Sequence, residues 1–103
     1  MRKELKNRRY SVTEKVEHTW ASGKVQNMLV TFGFNDQGEV KEMFCADFKA
    51  GTDFHVMIMD ACVAISLLLQ HGHSIKDINA KFAAPPRSVL GTLVEAGMTV
   101  EKP

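Results

Sequence analysis

The sequence predicts an α+β domain: an antiparallel sheet of three or four strands from the N-terminal half, packed against one long central helix and two shorter ones. Three observations predict it. Apolar and polar residues alternate with period two through residues 10–48. From residue 52 to about residue 97 the apolar residues recur at spacings of three and four instead. Glycine, proline and capping residues divide both halves into pieces of ordinary element length.

The elements follow in order. In "VTEKVEHTW", Val12, Val16 and Trp20 share one face, while Thr13, Lys15, Glu17 and Thr19 share the other, the pattern of a half-buried strand. "ASG" (21–23) is a turn. "VQNMLVTFGF" then places Met28, Val30, Phe32 and Phe34 on one face and Leu29, Thr31 and Gly33 on the other. "NDQG" (35–38) reads as a tight turn, because Asn and Asp tolerate turn conformations and Gly supplies positive φ. "EVKEMFCA" returns as a third strand, so the meander is antiparallel.

Thr52 is placed to cap a long helix in which Phe54, Ile58, Ala61, Ile65 and Leu68 form an apolar stripe. Met57, Cys62 and Ala64 widen that stripe, which predicts a helix apolar around most of its girth and central in the fold. Gly72 is the expected C′ residue. "SIKD" (74–77) approximates a capping box and starts a short helix that runs to about Phe82. Pro85 and Pro86 stop it. Arg87 or Ser88 opens a last helix expected to end near Gly97.

A chain of 103 residues with 45% apolar and 24% charged residues has the size and composition of a single globular domain. A net charge of +1 argues against polymeric nucleic acid as a partner, since neutralising phosphates takes concentrated Lys and Arg. The local exception is residues 1–9, where Arg2, Lys3, Lys6, Arg8 and Arg9 form a basic arm. Such an arm is either a solvated end or a flap that closes over an anion. No charged n-region followed by an apolar h-region opens the chain, and no uncharged apolar run reaches about 20 residues. The expectation is a cytoplasmic protein without a membrane span, its two cysteines, Cys45 and Cys62, reduced and buried.

No catalytic set is legible, and an enzyme is not expected. Cys45 falls in a strand and Cys62 in the middle of an apolar helix, where burial makes a thiol inert. His71 and His73 lack a cysteine or carboxylate cluster at a metal-ligand spacing, and histidines at a helix C-terminus complement the dipole. Asp53 and Asp60 have no partner base, so Asp60 is expected on an exposed helix face or at a subunit contact. Neither a metal nor a cofactor is implied.

Two places could hold a ligand. In "KAGTD" the start of a helix offers unpaired N–H groups and the positive end of its dipole. Gly51 permits close approach, Thr52 has a hydroxyl and Lys49 brings a charge. In "PPRS" two prolines fix the backbone before Ser88, and Arg87 is a planar donor suited to phosphate. The plain alternatives are an ordinary cap with a surface lysine and a rigid turn with an exposed arginine. Two helix starts, each beside a cation, together with Arg8 and Arg9, favour a phosphate-bearing small molecule.

The stretch "AISLLLQHGHSIKDINAKF" (64–82) resembles the helix-turn-helix of the TSCPD domain, a module at the C-terminus of cobalamin-dependent ribonucleotide reductases that also occurs free-standing. The leading "RR", "GKVQNMLVTFGFNDQGEVKEMF" and "KAG" resemble that family in order, and the likeness spans roughly residues 8–95. Its motifs are a Gly-Lys, an acidic-Gly turn, Ser66, Leu67 and Leu69, and Gly72. The Thr-Ser-Cys-Pro-Asp string is absent; "APPRSV" stands in its place, which removes thiol or metal chemistry there. The layout also resembles the phage Thoeris anti-defence sponges of the first type. These are non-enzymatic homo-oligomers that trap cyclic ADP-ribose-type signals and, in some members, cyclic oligonucleotides. That resemblance implies a homo-oligomer in which Arg87, Lys49 and Arg8–Arg9 contact phosphate and Phe44 or Phe48 stacks on a base. The TSCPD resemblance implies instead an accessory or regulatory module of a reductase.

Overall fold

The computed structural model describes residues 10–45, 52–83, 85 and 87–101. The elements run β1 (Ser11–Thr19), β2 (Val25–Phe34), β3 (Val40–Cys45), α1 (Asp53–Gln70), α2 (Ile75–Lys81) and α3 (Val89–Val100). The α+β class expected from the sequence is the class observed. Among the described residues the sheet has three strands in the order β1-β2-β3, antiparallel throughout.

The turns form as their residues dictate. Asn35 Oδ1 accepts the N–H groups of Gln37 and Glu39 at 3.0 and 2.9 Å, while Gly38 takes a φ of +82°. At the other hairpin the Trp20 N–H donates to the Lys24 carbonyl at 2.8 Å. Met28, Val30, Phe32 and Met43 leave the inner face of the sheet fully buried, as the alternation requires. Ile65 and Leu69 of α1, Ile75 of α2 and Leu93 and Val94 of α3 complete the core.

The helix α1 lies along the outer edge of β3. Its Ser66 hydroxyl accepts the Met43 N–H at 2.9 Å and donates to the Met43 carbonyl at 3.3 Å. One turn on, Gln70 Nε2 donates to the Lys41 carbonyl at 3.2 Å, and Lys41 Nζ returns a bond to the Leu69 carbonyl at 3.0 Å. Four helical residues advance about 6 Å and two strand residues about 6.6 Å, so the two repeats stay in step. Polar side chains of α1 thus satisfy main-chain groups on β3 that a fourth strand would otherwise take.

This placement corrects the stripe expected on α1. The buried residues are Ile58, Cys62, Ile65, Ser66 and Leu69, whereas Met57 and Leu68 are 63% and 43% exposed. A helix beside a sheet edge is covered along a narrow band only. Val56, Met59, Val63 and Leu67 are also exposed, so α1 presents an apolar outer row. With 18 residues and mean hydropathy 1.5, α1 is long and apolar enough to cross a membrane; here its buried band is packed on β3 and the core.

The start of α3 is as expected, with Ser88 as N-cap, but the helix continues past Gly97 to Val100. Gly97 is a packing residue rather than a stop. A Cβ there would sit 2.9 Å from Phe32 Cε1 and 3.3 Å from Ile75 Cδ1. The C-cap is Glu101, whose carboxylate accepts the Val40 N–H at 2.8 Å and pins the end of α3 to the start of β3.

Candidate functional site

The hairpin end of the sheet collects the first turns of two helices. Phe54, in the first turn of α1, packs against Trp20 with ring centroids 5.7 Å apart. The Trp20 ring stands edge-on to His18 at 4.9 Å. His18 is buried, and its Nδ1 lies 2.7 Å from Thr92 Oγ1, one turn into α3. A continuous run of side chains, Phe54–Trp20–His18–Thr92, therefore joins the beginnings of α1 and α3 across β1. Both helices direct the positive ends of their dipoles towards this end of the sheet.

Trp20 and Phe54 also line an open hollow of about 500 Å³, with Ala21, Ser22, Lys24 and Gln26 from the hairpin. Gln26 Oε1 accepts the indole N–H at 3.2 Å and holds the ring in place. The hollow offers two aromatic rings, one exposed ammonium and a hydroxyl: apolar planes beside a cation. Aromatic faces of this kind suit a nucleobase, and Lys24 suits a phosphate.

The expected site residues fall into three groups. Thr52 caps α1, two residues before Phe54, its Oγ1 accepting the His55 N–H at 3.1 Å. Lys49, Gly51, Phe48, Arg8 and Arg9 lie outside the described residues. Ser88 caps α3 by accepting the Gly91 N–H at 3.0 Å. Arg87 is engaged within the fold: Nη1 donates to Asn79 Oδ1 at 3.2 Å and to the Gly91 carbonyl at 3.0 Å, with Glu95 Oε1 at 3.9 Å from Nε. It straps α2 to α3 and keeps 27% of its side chain exposed. Phe44 is on the sheet face away from the helices, opposite Thr31, and does not line the hollow.

Sequence reasoning missed the Trp20–Phe54 hollow. The two rings are far apart in the chain, and no spacing rule joins a hairpin residue to a helix start. The usable signal was a lone tryptophan four residues before a lysine at a turn.

The remaining titratable groups are spread out. Among the described residues no group of three His, Cys, Asp or Glu side chains stands together as a metal site. His71 and His73 are exposed, as is Asp60. Cys45 and Cys62 are buried and unbridged, and burial, helped by the neighbouring Cys45, pushes the Cys62 thiol up to about 11. Comparison with protein-family models, curated proteins and solved structures gives no match.

Proposed function

We propose that this protein binds a phosphate-bearing, nucleotide-derived small molecule at the hairpin end of the sheet and holds it without turnover. The observation that carries the reading is the Trp20–Phe54 hollow, with Lys24 at its rim and the start of α1 beside it. Aromatic planes take the base, and Lys24 with the helix start takes the phosphate. The class proposed is the cyclic ADP-ribose-type or cyclic oligonucleotide immune signal, sequestered by a phage-type sponge. A cytoplasmic location and assembly into a homo-oligomer belong to the same proposal, and the exposed apolar row on α1 supports assembly. Lys49, Gly51, Thr52 and Phe48 are proposed to complete the contacts near α1, and Arg87 and Ser88 those near α3; Arg8 and Arg9 join the chain at Tyr10, beside Phe34 at the far end of β1, and are not included in this site.

The test uses the single tryptophan, which lies in the hollow. Titrating the protein with cyclic ADP-ribose isomers, cyclic oligonucleotides and deoxynucleoside triphosphates should change Trp20 emission for the true ligand class. That ligand at a hundred times its Kd should stabilise the fold by about 2.7 kcal/mol. Recovery of the cyclic ligand intact after denaturation supports sequestration. A response to deoxynucleoside triphosphates alone supports the reductase-module alternative. A chemically altered ligand would mean catalysis, and no response to any of the three overturns the ligand class.

A further inference from the structure

We propose that β1 pairs antiparallel with β1 of a second copy of this chain, across a two-fold axis through Val16, making one six-stranded sheet. This inference does not depend on the ligand.

The two edges of the sheet differ. The edge of β3 is covered by α1 through Ser66 and Gln70. Along β1, no described strand pairs with the outer edge. The hydrogen bonds Trp20 N–H to Lys24 O and Phe34 N–H to Tyr10 O show that even-numbered residues of β1 face β2 with their main chain. Thr13, Lys15, Glu17 and Thr19 therefore turn their N–H and C=O groups outwards, and all four are exposed. A strand of nine residues whose outer edge has no described strand beside it is a template for another strand.

Charges on an edge ordinarily block such pairing. In β1 their order selects one register. With the axis through Val16, Lys15 lies opposite Glu17 of the second copy and Glu17 opposite its Lys15. Thr13 meets Thr19, and on the inner face Glu14 meets His18 and Val12 meets Trp20. The exposed pairs are then complementary in charge or hydroxyl character and Val12–Trp20 in apolar character, while Glu14 stands opposite a His18 that is buried against Thr92 and adds no charge pair. Moving the axis to Lys15 opposes lysine to lysine, and moving it to Glu17 opposes glutamate to glutamate. The odd residues must face one another for their outward groups to bond, so these are the adjacent registers, and both carry like-charge contacts.

Sedimentation equilibrium on the full chain tests the pairing. The wild type should be a dimer. Lys15→Glu or Glu17→Lys alone should raise the dissociation constant about tenfold or more, because each converts two attractive pairs to repulsive ones. The double variant K15E/E17K restores opposite charges and should return within about threefold of wild type, the scatter expected of exposed pairs. Lys15→Pro removes an outward N–H together with the Lys15 charge and leaves the β1–β2 bonds in place, which an edge strand tolerates, and should give a folded monomer with an unchanged circular dichroism spectrum. Amide exchange at Thr13, Lys15 and Glu17 should slow as concentration rises. A monomer at all concentrations overturns the proposal. So does a dimer insensitive to the charge variants with fast exchange at those three amides, which would place the contact elsewhere, as on α1.

Discussion

Ser66 closes both main-chain groups of Met43 with one hydroxyl, accepting at 2.9 Å and donating at 3.3 Å. The pair is buried, so Ser66→Ala leaves an N–H and a C=O without partners and without water. The expected loss is about 1–3 kcal/mol. Urea unfolding checks it, and a loss below about 0.5 kcal/mol would mean that α1 is not needed to satisfy the β3 edge.

Gly97 tests the close approach of α3 to the sheet. A side chain here must displace the Phe32 ring edge and Ile75. Gly97→Val is expected to cost about 1–3 kcal/mol by overpacking. Gly97→Ala should cost less, since alanine regains about 1 kcal/mol of helix propensity. Thermal melts of the two variants should rank in that order.

Arg87 joins Asn79 of α2 to the Gly91 carbonyl of α3. Arg87→Ala should lower stability by about 1 kcal/mol in ligand-free protein, the usual net value of such bonds. Arg87→Lys should not restore it, because an ammonium lacks the planar fork that spans both acceptors. A melting temperature unchanged by Arg87→Ala would leave the side chain available for a ligand role alone.

Burial holds the His18 imidazole below the ordinary histidine value of 6.5. The unfolded chain therefore binds a proton at this site more readily than the folded one. Stability contributed here is fully present above about pH 7.5 and falls as pH drops through 6.5 towards the folded value. Melting temperature against pH should show that decline, and His18→Gln should flatten its steepest part. An NMR titration placing the His18 midpoint above 6.5 would reverse the sign.

The Cys62 thiol, pushed up to about 11 and buried, should resist iodoacetamide in the native state and react once the fold opens. Labelling followed by mass spectrometry checks this. Rapid native alkylation of Cys62 would show that α1 separates from β3 readily.

The elements and their local chemistry are legible along the chain. Period two in β1 and β2, the Asn35–Gly38 turn, the caps at Thr52, Ser74 and Ser88 and the stop at Gly72 are local effects. Each depends on residues within one turn or one strand, so a linear reading can find them. Tertiary structure alone decided which band of α1 is buried, because an all-round apolar helix has no preferred side until a neighbour covers one. It also decided that Gly97 lies within a helix, since only contact with Phe32 and Ile75 distinguishes close packing from a cap. The meeting of Trp20 with Phe54 belongs to the same kind: two rings far apart in the chain become one surface because α1 runs antiparallel to β3 and so begins beside the β1–β2 hairpin. Periodicity fixes which way a side chain faces along its own element, and only packing fixes what it faces.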